Sequence, residues 1–149
     1  MRGFLVQVNT SDGGMPKLPV LVGRVTVDGV DGDRQRNRKY HGGPLKAICL
    51  FSEELYEWLA EKGIPLAAGS VGENFTTRGI DLNKLSAGDR LRVGAGCEIE
   101  ITTVRIPCGN LKKWDTDLPE LIVGRSGWYA KVLREGDVKA GDAIEVVSA

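Results

Sequence analysis

Glycine is spread so evenly through this chain that its secondary structure has to be short. Twenty of the 149 residues are glycine, and each interior glycine weakens a helix or marks a turn, so the segments between them favour β-structure over a helical bundle. Phe4 to Asn9 reads as a strand. Pro19 to Val27 is β-branched and reads as a second, with Gly23 as a bulge. Lys46 to Phe51 is a short apolar run, expected to be a strand buried on both faces. Arg90 to Val93 alternates, and so does Cys97 to Val104, with Glu98, Glu100 and Thr102 against Ile99, Ile101 and Thr103. Such alternation means one wet face and one core face. Gly127 to Leu133 and Ala143 to Val147 repeat it.

One helix stands out, from Glu53 to about Lys62. Ser52 is its N-cap, and Glu53 and Glu54 sit well at the positive end of the helix dipole. Leu55, Trp58 and Leu59 are its expected buried stripe. Gly63 and Pro65 stop it. Two short helices are expected after Cys108, around Asn110 to Trp114 and Leu118 to Val123, the second capped by Asp117. Ala87-Gly88-Asp89 and Ala140-Gly141-Asp142 each launch a strand, a repeated corner chemistry in which glycine supplies the dihedrals and aspartate bonds the turn. Residues 1–149 therefore read as a single mostly β domain: a closed, largely antiparallel barrel with one clear α-helix and short helices at its rim.

Composition narrows the functional classes. Lys plus Arg is 20 and Asp plus Glu is 20, so no global field draws the chain to nucleic acid or to an anionic membrane. Any anion site has to be a local cluster. No apolar run approaches the roughly 20 residues of a membrane helix, and the start does not read as a signal peptide. An odd count of three cysteines, Cys49, Cys97 and Cys108, is expected to stay reduced in the cytoplasm.

The chemistry collects in four segments. Cys108 follows Pro107 and precedes Gly109, which leaves its sulfur little screened. Arg105 before it, Lys112 and Lys113 after it, and a helix start would favour thiolate, the form a nucleophile, sulfur carrier or soft-metal ligand needs. Local residues alone weigh that role evenly against a small buried hydrophobe. Cys49 and Cys97 read as buried hydrophobes. Arg34, Arg36, Arg38 and Lys39 precede His41, Gly42 and Gly43, a basic loop that suits phosphate oxygens or is simply solvated. His41 is a candidate hydrogen-bonding or acid–base residue. Gly72-Glu73-Asn74 holds a carboxylate and an amide on a tight loop, either a site or turn capping. Gly13-Gly14-Met15-Pro16 fixes the backbone before Lys17, an anion receiver or a surface charge.

Taken in order, Gly13-Gly14-Met15-Pro16-Lys17, Gly32-Asp33, His41-Gly42-Gly43, Gly72-Glu73-Asn74, Gly88-Asp89-Arg90-Leu91, Arg105-Ile106-Pro107-Cys108, Gly127-Trp128-Tyr129 and Gly141-Asp142 make a pattern over nearly the whole chain. It closely resembles the MOSC family, named for the C-terminal domain of molybdenum cofactor sulfurases. The resemblance implies a mostly β barrel and an association with the molybdenum cofactor (molybdopterin). It implies that Cys108 is the functional cysteine, as sulfur carrier or as molybdenum ligand, with His41 beside it. Lys17, Asp33, Arg34, Gly42, Glu73, Asn74 and Arg105 would then line the cofactor pocket. Reduction of N-hydroxylated compounds, as some relatives perform, would need a partner that supplies electrons, since three cysteines cannot hold an iron–sulfur cluster. A sulfur donor or acceptor protein is the other implied partner. The alternatives are a non-catalytic cofactor carrier or chaperone, and a structural barrel module with a vestigial site.

Overall fold

The computed structural model describes residues 1–34 and 43–147. In chain order the elements are β1 Arg2–Thr10, β2 Leu18–Val20, β3 Gly23–Thr26, β4 Gly29–Val30, β5 Ile48–Ser52, α1 Glu53–Glu61, β6 Phe75–Arg78, β7 Arg90–Val93, β8 Cys97–Val104, α2 Leu118–Leu121, β9 Trp128–Arg134, β10 Gly136–Val138 and β11 Ala143–Val146. Single 3-10 turns lie at Pro44–Lys46, Leu82–Lys84 and Gly109–Lys113.

Seven strands close a barrel in the order β1-β11-β7-β8-β9-β5-β6, and β6 returns to β1. All its pairs are antiparallel except β5 with β6. That parallel pair requires a crossover, which α1 supplies. Arg78 on β6 then bonds Glu57 and Glu53 of α1 at 2.7 and 3.0 Å and holds the helix to the strand it feeds. β2 extends the sheet beyond β1, and β3, β4 and β10 make a small second sheet. Its buried residues Val25, Val30 and Val138 join the barrel core with Leu5, Ile99 and Ile144.

A second core, around Phe51, Tyr56, Leu59, Leu111, Leu118 and Ile122, lies between the barrel and the helical segments. β5 serves both. Ile48 and Leu50 enter the barrel core, whereas Phe51 faces the second one, so the expected burial on both faces is what the strand shows.

Several local expectations need correction. The Pro19 to Val27 segment is two strands in different sheets, because Gly23 begins β3 so close to β1 that a Cβ would stand 2.8 Å from Val8 Cγ1. The buried residues of α1 are Tyr56 and Leu59, with Leu55 and Trp58 only partly covered. The face rotates because the Tyr56 hydroxyl reaches a buried carboxylate, Glu73, at 2.7 Å. Ser52 does cap α1, accepting from Leu55 N–H at 3.1 Å. Asp117 makes no cap bond; Asp115 accepts the Asp117 N–H instead, at 2.9 Å. The Asn110 to Trp114 helix is a 3-10 turn, and alternation in β8 ends at a register shift before Thr103, which is exposed.

The repeated Gly-Asp corners match bond for bond. Asp89 accepts from Ser86 N–H and Asp142 from Lys139 N–H, both at 2.9 Å. Gly88 N–H bonds Ile101 O, and Gly141 N–H bonds Leu5 O. Each corner thus launches one strand and docks on another, and the two launched strands, β7 and β11, pair with each other.

Gly127 sets the tightest approach in the ring. Its φ is +88°, and a Cβ there would overlap the Leu50 carbonyl oxygen of β5. Gly127→Ala should cost about 3 kcal/mol through strain and lost pairing. Gly124→Ala, also at positive φ but with open space around it, should cost only about 1 kcal/mol. Urea denaturation of the two variants checks this; equal losses would mean that the β5 contact does not matter.

Candidate functional site

A cleft of about 1180 Å³ opens where the Gly13 to Lys17 loop, Arg34, β5, the Val71 to Asn74 loop and the Arg105 to Lys113 segment meet. Among the described residues five cations line it, Lys17, Arg34, Lys46, Arg105 and Lys113, together with the carboxylate of Asp12. The neutral chain therefore does carry a local basic cluster.

The walls are built from strand parity. On β5, Cys49 points opposite to Ile48 and Leu50, away from the barrel core. Only 6% of it is exposed, and it lies on the cleft wall. Burial pushes its thiol pKa up, while the neighbouring Arg105 guanidinium pulls it back. Across the pair β5–β9, Cys49 stands opposite Tyr129, which also lines the cleft. Cys97 has the other fate. It is packed in the barrel core, and burial, helped by Glu98, pushes its thiol up to about 12.

Asn74 anchors the floor. Its backbone N–H bonds Cys49 O, and its carbonyl accepts from Asn9 N–H. Its side-chain oxygen accepts from Cys49 N–H at 3.0 Å, and Nδ2 donates to Asn9 O and to Asp33 Oδ2 at 3.3 and 2.9 Å. Asp33 in turn receives Ser11 N–H at 2.9 Å and Lys17 Nζ at 2.6 Å. The side chains of Lys17 and Asp33 are only 9% and 1% exposed. Lys17, Asp33 and Asn74, far apart in the sequence, form one continuous polar chain.

Arg105 comes from the end of β8. Its N–H bonds Gly127 O and its Nη2 bonds Val71 O. The residue is 7% exposed, yet Nη1 has no partner among the described residues. Burial alone would lower its pKa, but the nearby Cys49, Tyr129, Glu73 and Cys108 outweigh that and raise it.

Cys108 is partly exposed, at the cap position of the Gly109–Lys113 turn. Three contacts hold that turn in place. Leu111 is fully buried in the second core, Trp114 Nε1 donates to Ser70 O at 2.9 Å, and Lys113 Nζ donates to Met15 O at 2.6 Å. Met15 packs over Gly72, so the sulfur-bearing residues Met15, Cys49 and Cys108 share one cleft.

Of the expected site residues, Lys17, Arg34, Asn74, Arg105 and Cys108 line this cleft, and Asp33 stands behind Lys17. Glu73 does not line it. It is fully buried and accepts from Tyr56 O–H, Gly69 N–H and Thr76 O–H at 2.7, 3.0 and 2.8 Å. His41 and Gly42, with Arg36, Arg38 and Lys39, lie outside the described residues. Cys49 and Tyr129 were not expected at the cleft. Strand parity was the available signal for Cys49: with Ile48 and Leu50 on one face, it had to be on the other.

The MOSC domain family model matches residues 37–145. Protein YiiM of Escherichia coli is 32% identical over 146 residues, covering 87% of this chain and 65% of YiiM. A protein of Gibberella moniliformis described as a reductase is 31% identical over 127 residues, covering 80% of this chain but 22% of that protein. The crystal structure of YiiM from Geobacillus stearothermophilus superposes with a TM-score of 0.79 at 27% identity, over 98% of this chain and 75% of that one. The YUAD protein of Bacillus subtilis, 21% identical, has the same fold, with a TM-score of 0.83 over 100% of this chain and 97% of its own. The chain thus spans about two-thirds or less of the curated relatives it matches. Among the described residues no helix is long and apolar enough to cross a membrane.

Two measurements probe these polar walls. Asp33→Ala leaves the Lys17 ammonium buried without its partner and should cost about 3–5 kcal/mol, whereas Lys17→Met with Asp33→Ala should recover much of it. Full additivity of the two substitutions in denaturant unfolding would refute the coupling. The Glu73 carboxyl is held above its ordinary value of 4.5 by burial, against the pull of its three donors. Its stabilising contribution is therefore present below 4.5 and lost as pH rises through the raised value. Compared with Glu73→Gln, wild-type stability should fall as pH rises above about 4.5; parallel stability curves would mean that Glu73 titrates normally.

Proposed function

Because the chain belongs to the MOSC domain family, whose members are associated with the molybdenum cofactor, we propose that its cleft receives that cofactor and that Cys108 is the thiol acting there, as molybdenum ligand or as bearer of one sulfur atom. The observation that carries this reading is the convergence of Cys108, Arg105, Lys17, Arg34 and Asn74, far apart in the chain, on one cleft.

The residues suit such a group. The cofactor is an anionic pterin with sulfur ligands to its metal. The cleft offers a partly exposed thiol, a basic lining and Arg105 Nη1, which has no partner among the described residues. Arg105 and Arg34 would hold the phosphate, since guanidinium forks match its oxygens. Lys17, with its charge answered by Asp33, adds a fixed N–H donor more than free charge. Asn74 keeps β5 and the Asp33 segment in register and so positions the wall. Glu73 acts one layer further out, by fixing the turn at Gly69. His41 is assigned a hydrogen-bonding role toward pterin or substrate. When bound, the cofactor supplies a redox-active metal centre.

One relative is described as a reductase, which is in keeping with a reductive reaction, and the chain corresponds to 22% of that protein. Reduction of N-hydroxylated compounds is the activity this reading assigns, with electrons from a partner protein. A chaperone that hands the cofactor on would bind it equally but would show no turnover with a reductant and such a substrate.

Elemental analysis and intact mass of protein made in a cofactor-competent host test the proposal. Near one molybdenum per chain supports the ligand role, and one added sulfur without metal supports the carrier role. Cys108→Ser should abolish whichever is found, with a stability loss of about 1 kcal/mol, since the thiol is only partly buried. A Cys108→Ala protein with undiminished metal, sulfur and activity would overturn it.

A further inference from the structure

Arg105 differs from the other cations of the cleft. Lys17 is paired with Asp33, Arg34 stands 3.6 Å from Asp12, Lys46 Nζ lies 5.2 Å from the centre of the Tyr129 ring, and Lys113 donates to Met15 O. Arg105 is more deeply buried than Arg34, uses Nη2 on Val71 O, and keeps Nη1 unpartnered among the described residues. The buried carboxyl of Glu73 has its oxygens engaged by Tyr56, Gly69 and Thr76. A buried charged N–H without an acceptor is costly, and an oxygen of a bound anion removes that cost. Cys108 and Arg105 line the same cleft. A hard N–H donor for oxygen and a soft sulfur nucleophile therefore face one space. A ligand that satisfies both is an oxyanion carrying a transferable sulfur.

We propose that the cofactor-free cleft is loaded by a small sulfane-bearing oxyanion of the thiosulfate class, Arg105 holding the oxyanion end while Cys108 takes the outer sulfur. This rests on the reading of Cys108 as the sulfur-bearing thiol and names its donor. The Cys108 thiol releases its proton to water, and its sulfur forms a bond to the outer sulfur of thiosulfate. The S–S bond of thiosulfate breaks, and sulfite leaves with that electron pair. The new bond takes both electrons from the Cys108 sulfur, so no external oxidant or reductant is needed, and the product is a persulfide. Cys49 does not compete, because it is 6% exposed and its sulfur lies against Arg105. It is a positioning residue for the guanidinium.

The test uses reduced, cofactor-free protein and thiosulfate. Intact mass should rise by one sulfur atom, mapped to Cys108, and cyanide should release it as thiocyanate. Iodoacetamide, which is uncharged, reports thiol reactivity alone. Inorganic sulfate should slow loading by thiosulfate and leave alkylation by iodoacetamide unchanged, a comparison that needs no variant. Arg105→Gln should slow thiosulfate loading by about a hundredfold and alkylation far less; since this residue is buried, the ratio of the two rates is the readout, because misfolding alters both. No added sulfur on the wild type, sulfur on Cys49, or equal effects of sulfate on both reagents would overturn the proposal. Molybdenum retained by the same chain under those results would sink the donor and leave the cofactor reading standing; loss of both would sink the two together.

Discussion

The side chain and peptide of Asn74 join β1, β5 and the Asp33 segment at one point. Its hydrogen bonds reach both backbone groups of Cys49, both backbone groups of Asn9, and the Asp33 carboxylate. Through Asp33 the same chain reaches Lys17. One fully bonded amide thus ties β5, β1 and two loops into a single wall. Such a network is strong only when complete, since each buried polar atom left without a partner costs about 1–3 kcal/mol. The cleft inherits its shape from that requirement.

The barrel explains why the network sits where it does. A closed ring has no open edge to accept a ligand strand, so a site has to form on the outer surface, where other segments cover a strand. β5 is that strand. Its parallel partner β6 forces a crossover through α1, and the crossover brings the Gly69 to Asn74 loop back over Cys49. The second core then fixes the Cys108 turn from the opposite side through Leu111. Gly72 permits the last approach: its φ is +89°, and a Cβ there would press on Met15 Cγ at 3.1 Å.

Much of this was legible in the sequence, for physical reasons that differ from residue to residue. Alternation exposed β7 and most of β8, because those strands have one core face and one wet face. The Gly-Asp corners were legible because positive φ and an acceptor at fixed spacing leave few other conformations. α1 was legible from its caps, but not its face, because a helical stripe read from hydrophobicity cannot know that Glu73 needs the Tyr56 hydroxyl. Pro19 to Val27 misled for a related reason: β-branched content reports strand propensity, and the change of sheet at Gly23 is set by packing against Val8. At the site, Cys108, Arg105, Lys17 and Asn74 were found through motif order. Glu73 belonged to the same motif, yet its carboxylate holds a loop. Short motifs do not distinguish residues that face a ligand from those that support them. For Cys49, parity separated it from Ile48 and Leu50, but a strand buried on both faces shows no alternation to tell which face meets the cleft.

The two buried cations of the wall show how the site divides its charge. A buried ion pair adds little net stability, because desolvation offsets most of the attraction. The Lys17–Asp33 pair is therefore better understood as a geometric device: it cancels a charge and fixes the loop that carries Met15. Arg105 is treated in the opposite way. The fold supplies acceptors for its N–H and for Nη2 and, among the described residues, offers none to Nη1. An incompletely satisfied guanidinium beside a partly exposed cysteine is a stability cost that packing alone would not select. The cost becomes intelligible once the missing acceptor belongs to a ligand. In a chain with no net charge, the proposed selectivity for an anion would then rest on this bond, unmet among the described residues and placed in the same cleft as Cys108.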